Sequence, residues 1–216
     1  MSKSPFRTRF VLLDWDGTIL NSYAADSRAY LAMFRTMGID WGIAELRRCY
    51  SPNWYQVYRA AQIPRPDWAR ADQLWRAAYA KERPALLPGA RTVLRVLEQK
   101  FELGIVTGGS RGRVRRQLRE FDFVKYFSAC VYSEDTPRKK PHPAPLHLAL
   151  KRLRAKPEEC VYVGDSSEDI EMARRAGVRA IGVLGPFPTS VSIRAAQPDL
   201  LLRSISELPR NLRRSD

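Results

Sequence analysis

Cysteine is scarce in this sequence of 216 residues, and the three that occur, Cys49, Cys130 and Cys160, are widely spaced. An odd number of cysteines at such spacing fits neither a disulfide framework nor a zinc cluster. We interpret them as small buried apolar residues in a reducing compartment. The hydrophobic content of 44% is enough to bury a sizeable core without disulfide bonds.

Long apolar runs are absent as well. The polar and basic start MSKSPFRTRF is followed by an apolar run that covers only residues 10–13. Such a run is far too short for the core of a signal peptide or for a membrane span. We therefore expect no membrane association and a cytoplasmic location.

Acidic residues are outnumbered, since 37 Lys and Arg face 23 Asp and Glu, for a net charge of +14. A basic excess can favour nucleic acid, anionic lipid or an anionic small substrate. The basic residues are dispersed along the chain, with 29 Arg against 8 Lys. The charge alone decides none of these: a general preference for phosphorylated ligands ranks above direct binding of nucleic acid, which stays a possible partner.

Short apolar runs alternate with helical patterns along most of the chain. Runs of this kind suit parallel strands that are covered on both faces, so the alternation predicts a doubly wound α/β fold with a parallel sheet. The predicted strands are residues 9–14, 101–107, 129–133, 160–164, 179–183 and 200–202. The predicted helices between and after them are residues 90–100, 111–120, 143–154, 168–176 and 204–212.

One stretch interrupts the alternation. Residues 19–85 contain only helical patterns and four of the five tryptophans. We predict a core domain of residues 1–18 and 86–216 and an inserted helical domain of residues 19–85. Because ligands of open α/β sheets bind beyond the carboxyl ends of the strands, an insert after the first strand is expected to act as a lid.

The first predicted strand ends in Asp14-Trp15-Asp16-Gly17-Thr18. Carboxylates at positions i and i+2 of extended chain point the same way, and oxygen ligands of this kind suit Mg²⁺. A turn that caps a helix is the alternative interpretation of this segment taken by itself.

Three further segments follow strands or precede helices. Asp165 and Asp169 stand after the fourth predicted strand, where Ser166 or Ser167 could instead cap the next helix. The stretch Thr107-Gly108-Gly109-Ser110 offers a hydroxyl and backbone N–H groups at a helix start, a natural phosphate cradle or an ordinary turn. The basic stretch 138–140 could neutralise phosphate charge or form a solvated loop.

Taken in order, D-W-D-G-T, I-V-T-G-G, K-P-H-P and V-G-D-S-S-E-D resemble the four motifs of the haloacid dehalogenase-like hydrolase superfamily. The helical insert is similar to the α-helical cap of the phosphoglycolate phosphatase-like branch. The resemblance covers nearly the whole chain. It implies the same α/β core and a Mg²⁺-dependent phosphatase that passes through an aspartyl-phosphate.

The resemblance also implies roles for the acids. Asp14 would be the nucleophile, and Asp16 the general acid and base, whose backbone carbonyl also contacts Mg²⁺. Asp165 would be a direct metal ligand, as would Asp14, and Asp169 would lie behind the metal or hold the motif lysine. Trp15 stands where relatives more often carry Phe or Leu, and we expect its side chain to point away from the site.

The remaining implied roles concern phosphate. Thr107 and the amide of Gly108 would bind the phosphoryl group. Lys140 would steady both that group and the nucleophile. A small phosphorylated compound is the expected substrate. Its identity stays open because Asn21 stands where many relatives carry Asp. The sequence does not determine the oligomeric state.

Several other functions compete with this assignment. Dehalogenation is disfavoured because relatives that act on carbon–halogen bonds lack an acid equivalent to Asp16. A phosphonatase or a phosphosugar mutase would need lysine or histidine in the insert, yet no lysine occurs between residues 4 and 80 and both histidines lie elsewhere. A phosphatase of nucleic-acid ends and a non-catalytic binding protein remain alternatives. Arginines of the insert could bind an acidic substrate: Arg28, Arg47, Arg48 and Arg59.

Overall fold

The computed structural model describes residues 6–214 and the side chains of residues 8–214. The chain divides into two compact units, which we call the core unit (Met1–Asn21 and Leu86–Asp216) and the helical unit (Ser22–Ala85). Residues 1–5 and 215–216 of the predicted core domain lie outside the described residues. The assignment of the two units as domains with separate tasks stays a prediction.

The core unit is built on a parallel sheet. Among the described residues it has six strands: β2 (Phe10–Leu13), β3 (Glu102–Val106), β4 (Phe127–Val131), β5 (Cys160–Gly164), β6 (Arg179–Val183) and β7 (Leu200–Leu202). Their order in the sheet is β4-β3-β2-β5-β6-β7. The central strands are almost completely buried because helices cover both faces. The predicted doubly wound α/β fold is confirmed.

Two apolar clusters lie on the two faces of this sheet, because successive side chains of a strand point to opposite faces. Leu13 and Val163 belong to one cluster, while Leu12 and Tyr162 belong to the other. The covering helices are α5 (Ala90–Glu98), α6 (Arg111–Glu120), α7 (Ala144–Leu153), α8 (Ser167–Arg175) and α9 (Ser190–Ala195).

The helical unit consists of α1 (Tyr23–Thr36), α2 (Ile43–Cys49), α3 (Trp54–Ala60) and α4 (Trp68–Tyr79). Its tryptophans pack against a core that includes Phe34 and Tyr58. Trp68 stacks on Tyr55 with ring centroids 4.8 Å apart. Arg28, a candidate for substrate binding, makes a two-point ion pair with Glu82 of the same unit.

The predicted helix over residues 204–212 is wrong. Two 3₁₀ turns, Ile205–Glu207 and Pro209–Asn211, occupy this stretch. A proline at position 209 lacks the N–H that a continuous helix needs, so the helix pattern is broken there. The chain then forms β8 (Leu212–Arg214), which pairs in parallel with β1 (Phe6–Thr8), a two-stranded sheet that the sequence did not predict. Within residues 6–214, no helix combines the length and the apolar character that crossing a membrane requires.

Candidate active site

Strand register brings the motif acids to one edge of the sheet. Leu13 at the end of β2 pairs with Ile105 of β3 on one side and with Val163 of β5 on the other. Asp14 continues β2 by one residue, and its N–H donates to the carbonyl of Val163 at 2.8 Å. Asp165 follows β5 directly. Neighbouring parallel strands that end level with each other therefore place these two carboxyl groups side by side.

Asp14, Asp165 and Asp169 form a buried cluster in which one carboxylate oxygen of each residue lies within 4.8 Å of the other two. A β-carbon on Gly17 would lie 2.2 Å from Asp165 Oδ2, and one on Gly164 would lie 2.4 Å from Asp169 Cγ. The acids can approach one another because glycines border them. Hard oxygen ligands grouped in this way fit a divalent cation.

Asp169 connects the cluster to helix α8. One of its oxygens, Oδ2, accepts hydrogen bonds from Ser166 N and Oγ, and the Ser166 hydroxyl in turn accepts from the N–H of Asp169. This is a capping box at the start of the helix. The other oxygen, Oδ1, lies 2.7 Å from Lys140 Nζ. The helix-cap interpretation of this segment is confirmed, and it is compatible with the site interpretation, which stays a prediction.

Lys140 is the cation of the site, and its side chain is only 13% exposed. Its Nζ lies 2.8 Å from Asp14 Oδ1 and donates to the Tyr162 hydroxyl at 2.8 Å. The Tyr162 oxygen also lies 2.9 Å from the carbonyl of Val106. Burial alone lowers the pKa of Lys140, but attraction to Asp14 and Asp169 outweighs burial, so the pKa is raised and the ammonium stays charged.

The carboxyl groups carry more negative charge than Lys140 can offset. Burial raises the pKa of Asp14 to about 7, an effect that Lys140 opposes and that repulsion from Asp169 increases. Burial, followed by repulsion from Asp169 and Asp14, holds the pKa of Asp165 well above its usual range. Asp14 Oδ1 is buried, and Lys140 Nζ lies 2.8 Å from it. A divalent cation would offset this charge, so the residues fit a metal site.

The candidate phosphate cradle lies after β3. Thr107 is buried, and its Oγ1 accepts a hydrogen bond from the N–H of Gly109 at 3.0 Å. Gly108 is exposed, and a β-carbon there would meet no atom within 4 Å. Among the described residues, no acceptor contacts the Gly108 N–H. An open backbone amide next to a buried hydroxyl is suited to a phosphate oxygen, and the roles of Thr107 and Gly108 stay predictions.

Asp16 differs from the other motif acids, because its carboxylate is outside the cluster. It makes a two-point ion pair with Arg113 of α6, at 2.9 Å (Oδ1 to Nη1) and 2.5 Å (Oδ2 to Nη2). Trp15 is completely buried, and its indole Nε1 donates to Gln117 Oε1 at 2.9 Å. Sequence reasoning missed Arg113, Gln117 and Tyr162. The spacing of Arg113 and Gln117, four residues apart on a helix, was the available signal.

Comparison with known proteins identifies the family. Residues 11–183 match the model of the haloacid dehalogenase-like hydrolases, which is most of the chain. This chain belongs to that family. A divalent metal is general to family members. That Asp14, Asp165 and the backbone carbonyl of Asp16 would hold it in this chain stays a prediction, with which the grouping of Asp14 and Asp165 is compatible.

Individual relatives refine the assignment. The phosphoglycolate phosphatase of Escherichia coli K12 is 35% identical over 130 residues, which are 60% of this chain and 52% of that protein. The chain thus spans about half the length of the curated relatives it matches. The similarity to the phosphoglycolate phosphatase-like branch, predicted from the helical insert, is confirmed by such relatives.

Solved structures show the same fold in haloacid dehalogenase-like hydrolases and other proteins. A structure from Lactobacillus plantarum superposes with a TM-score of 0.87 at 20% identity, and the match covers 95% of this chain and 100% of that one. CbbY of Rhodobacter sphaeroides, solved in complex with phosphate, superposes with a TM-score of 0.80 at 26% identity, covering 93% of this chain and 96% of that chain.

Gly17→Ala is expected to damage the metal site as well as the fold. Gly17 has a φ of 78°, and its added β-carbon would clash with Asp165 Oδ2. Gly38 in the helical unit has a φ of 73° and open space around it, so Gly38→Ala measures the conformational cost alone, about 1–2 kcal/mol. We expect Gly17→Ala to lower the free energy of unfolding in urea by more than Gly38→Ala does. We also expect it to weaken the stabilisation of the fold by Mg²⁺. Equal costs and an unchanged Mg²⁺ response would contradict the packing described for Asp165.

Stabilisation by Mg²⁺ is expected to increase with pH. The pKa of Asp14 is raised to about 7 from a usual value of 3.8, so the protonated carboxyl stabilises the metal-free fold at low pH. That contribution is lost as the pH rises through about 7, when the carboxylate becomes charged and free to bind a cation. Melting temperatures with and without Mg²⁺ should therefore differ more at alkaline than at mildly acidic pH. A difference independent of pH would contradict the assignment.

Proposed function

We propose that this protein is a Mg²⁺-dependent phosphatase that hydrolyses a small anionic phosphate ester through an aspartyl-phosphate on Asp14. The observation that supports this most directly is the contact of Lys140 with Asp14, beside the carboxylates of Asp165 and Asp169. The Lys140 ammonium lies 2.8 Å from the buried Asp14 carboxylate. Its positive charge reduces the repulsion between this carboxylate and the negatively charged phosphoryl group that it attacks.

In the first step, Asp14 attacks phosphorus and the bond to the leaving oxygen breaks, while Asp16 donates a proton to that oxygen. In the second step, Asp16 takes a proton from a water molecule, which then attacks the aspartyl-phosphate and releases phosphate. The carboxylate nucleophile thus divides one difficult displacement into two easier ones. Bound Mg²⁺ would supply positive charge to the transferring phosphoryl oxygens.

The phosphate-binding residues complete the proposal. Thr107 and the Gly108 amide hold phosphoryl oxygens at the end of β3, and Lys140 offsets charge from the side of β5. Asp169 keeps Lys140 in place through the 2.7 Å contact. A small phosphorylated substrate and a cytoplasmic location are parts of the same proposal.

A phosphate-release screen tests the proposal. Purified protein is incubated with Mg²⁺ and a broad panel of phosphorylated metabolites, with Asp14→Asn as the inactive control and EDTA as the metal control. We expect release from at least one small ester that needs both Mg²⁺ and Asp14. Release from no member, including a generic aryl phosphate, would identify a non-catalytic protein. Selective release from oligonucleotide ends would favour the nucleic-acid alternative.

A further inference from the structure

Helix α6 presents two polar side chains to the two residues that follow the nucleophile. Arg113 and Gln117 lie four residues apart and therefore share one face of the helix. Arg113 contacts Asp16, and Gln117 contacts Trp15. The apolar residues Val114 and Leu118 of the same helix pack in the cluster that contains Trp15. Helix α6 therefore contacts both Trp15 and Asp16, the two residues directly after Asp14.

The ion pair between Arg113 and Asp16 fixes the plane of a carboxylate. Two guanidinium nitrogens contact the two oxygens separately, at 2.9 and 2.5 Å, which is a fork that a single-point cation cannot form. The side chains are 12% and 24% exposed, so solvent screens this pair less than it would screen a surface pair. The contact also needs a glycine at position 109, because a β-carbon there would lie 2.4 Å from Arg113 Nη2.

The second contact anchors the backbone next to Asp16. The Trp15 indole is completely buried and donates to Gln117 Oε1, which also lies 3.5 Å from Arg113 Nη1. The amide nitrogen of Gln117 is buried, and none of the residues that the structure describes forms a hydrogen bond with it. A buried polar group without a partner costs free energy, so the glutamine is not explained by packing alone. Its oxygen joins Trp15 and Arg113 in one network.

We infer that Arg113 is a positioning residue for Asp16, with Gln117 as its support. When the protonated Asp16 gives its proton to the leaving oxygen, the guanidinium holds the carboxylate that forms in one plane, from which it then takes a proton from water. Arg113 touches neither the phosphorus nor the leaving group in this scheme. The inference rests on the proposed function, because it assigns a task to Asp16 in that reaction.

Leaving-group dependence provides the test. An alkyl phosphate needs protonation of its leaving oxygen far more than p-nitrophenyl phosphate does, and kcat/KM reports on the step in which that oxygen leaves. We expect Arg113→Gln to lower kcat/KM for the alkyl ester by about tenfold to a hundredfold more than for the aryl ester. Arg113→Lys should show the same selectivity, because it restores charge but not the two-point contact. Arg119→Gln, an exposed site on the same helix, is the matched control and should behave like the parent.

A double-mutant cycle separates positioning from stability. In an Asp16→Asn background, Arg113→Gln should cause no further selective loss, since the residue it orients is already disabled. Equal losses on both esters, a loss confined to KM, or additive losses in the cycle would overturn the inference. Full rescue by Arg113→Lys would overturn it too, and this variant provides the test if Arg113→Gln does not fold.

The same experiment distinguishes the inference from the proposed function. If Asp16→Asn itself affects both esters equally, the acid role of Asp16 is wrong and the proposed mechanism fails with it. If Asp16→Asn is selective and Arg113→Gln is not, the mechanism stands and only the role of Arg113 is wrong.

Discussion

Asp14→Asn is expected to reduce phosphate release to below about one thousandth of the parent rate, a barrier increase of at least about 4 kcal/mol. An amide cannot take the place of the carboxylate that attacks phosphorus, so the covalent step is lost. The fold should persist, because the substitution removes a charge that burial and neighbouring acids already disfavour. Phosphate release under saturating substrate and Mg²⁺ measures the effect.

The matched control for this variant is Asp40→Asn, which makes the same chemical change at an exposed acid of the helical unit. It should retain parental activity. Circular dichroism and thermal melting of both variants establish that the fold is intact. Residual activity of Asp14→Asn above the stated limit, after contamination by parent enzyme is excluded, would show that Asp14 is not the nucleophile.

Asp165→Ala has the second largest expected effect, which falls on the metal. Asp165 is 4% exposed and contributes an oxygen to the acid cluster. Loss of a group that only orients a metal ligand lowers metal affinity or activity by about 10–100-fold. Loss of a direct ligand is therefore expected to lower Mg²⁺-dependent activity by about a hundredfold or more. Titration of activity with Mg²⁺ should require far higher concentrations than in the parent.

A thermal measurement without substrate supports the same test. The melting temperature of the parent should rise with Mg²⁺, since a ligand that binds only the folded state stabilises it by mass action. Asp165→Ala should lose most of this rise, whereas Asp40→Asn should keep it. An Asp165→Ala protein with a parental Mg²⁺ titration and melting response would mean that the metal assignment is wrong.

Much of the core unit could be predicted because its signals are local. Short apolar runs predicted each of the six strands of the main sheet, and the placement of Asp14 and Asp165 at strand ends followed from the pattern alone. The predicted helix over 204–212 is wrong because the proline at position 209 lacks a backbone N–H and interrupts a helix that the apolar pattern alone would favour. β1 pairs with β8, which is about 200 residues away in sequence, and local patterns do not predict a contact over such a separation.

The roles of the individual acids were predicted from the order of four motifs, and they stay predictions. The surroundings of those acids depend on contacts between distant segments. Arg113 is 97 residues from Asp16, and Gln117 is 102 residues from Trp15. The sequence placed several arginines on α6, and the four-residue spacing of Arg113 and Gln117 was too general a signal to select the one that contacts a motif acid.

By itself, the sequence determined the class of fold, the family and the chemical types of the groups at the strand ends. These follow from periodicity and from residue types at short spacings, which act locally along the chain. Only the tertiary structure decided that β3 and β5 flank β2 in level register, that three carboxylates lie within 4.8 Å, and that Arg113 orients toward Asp16. Strand pairing and helix packing join residues far apart in sequence, so the distances and the shifted pKa values of this site arise only when the whole sheet is assembled.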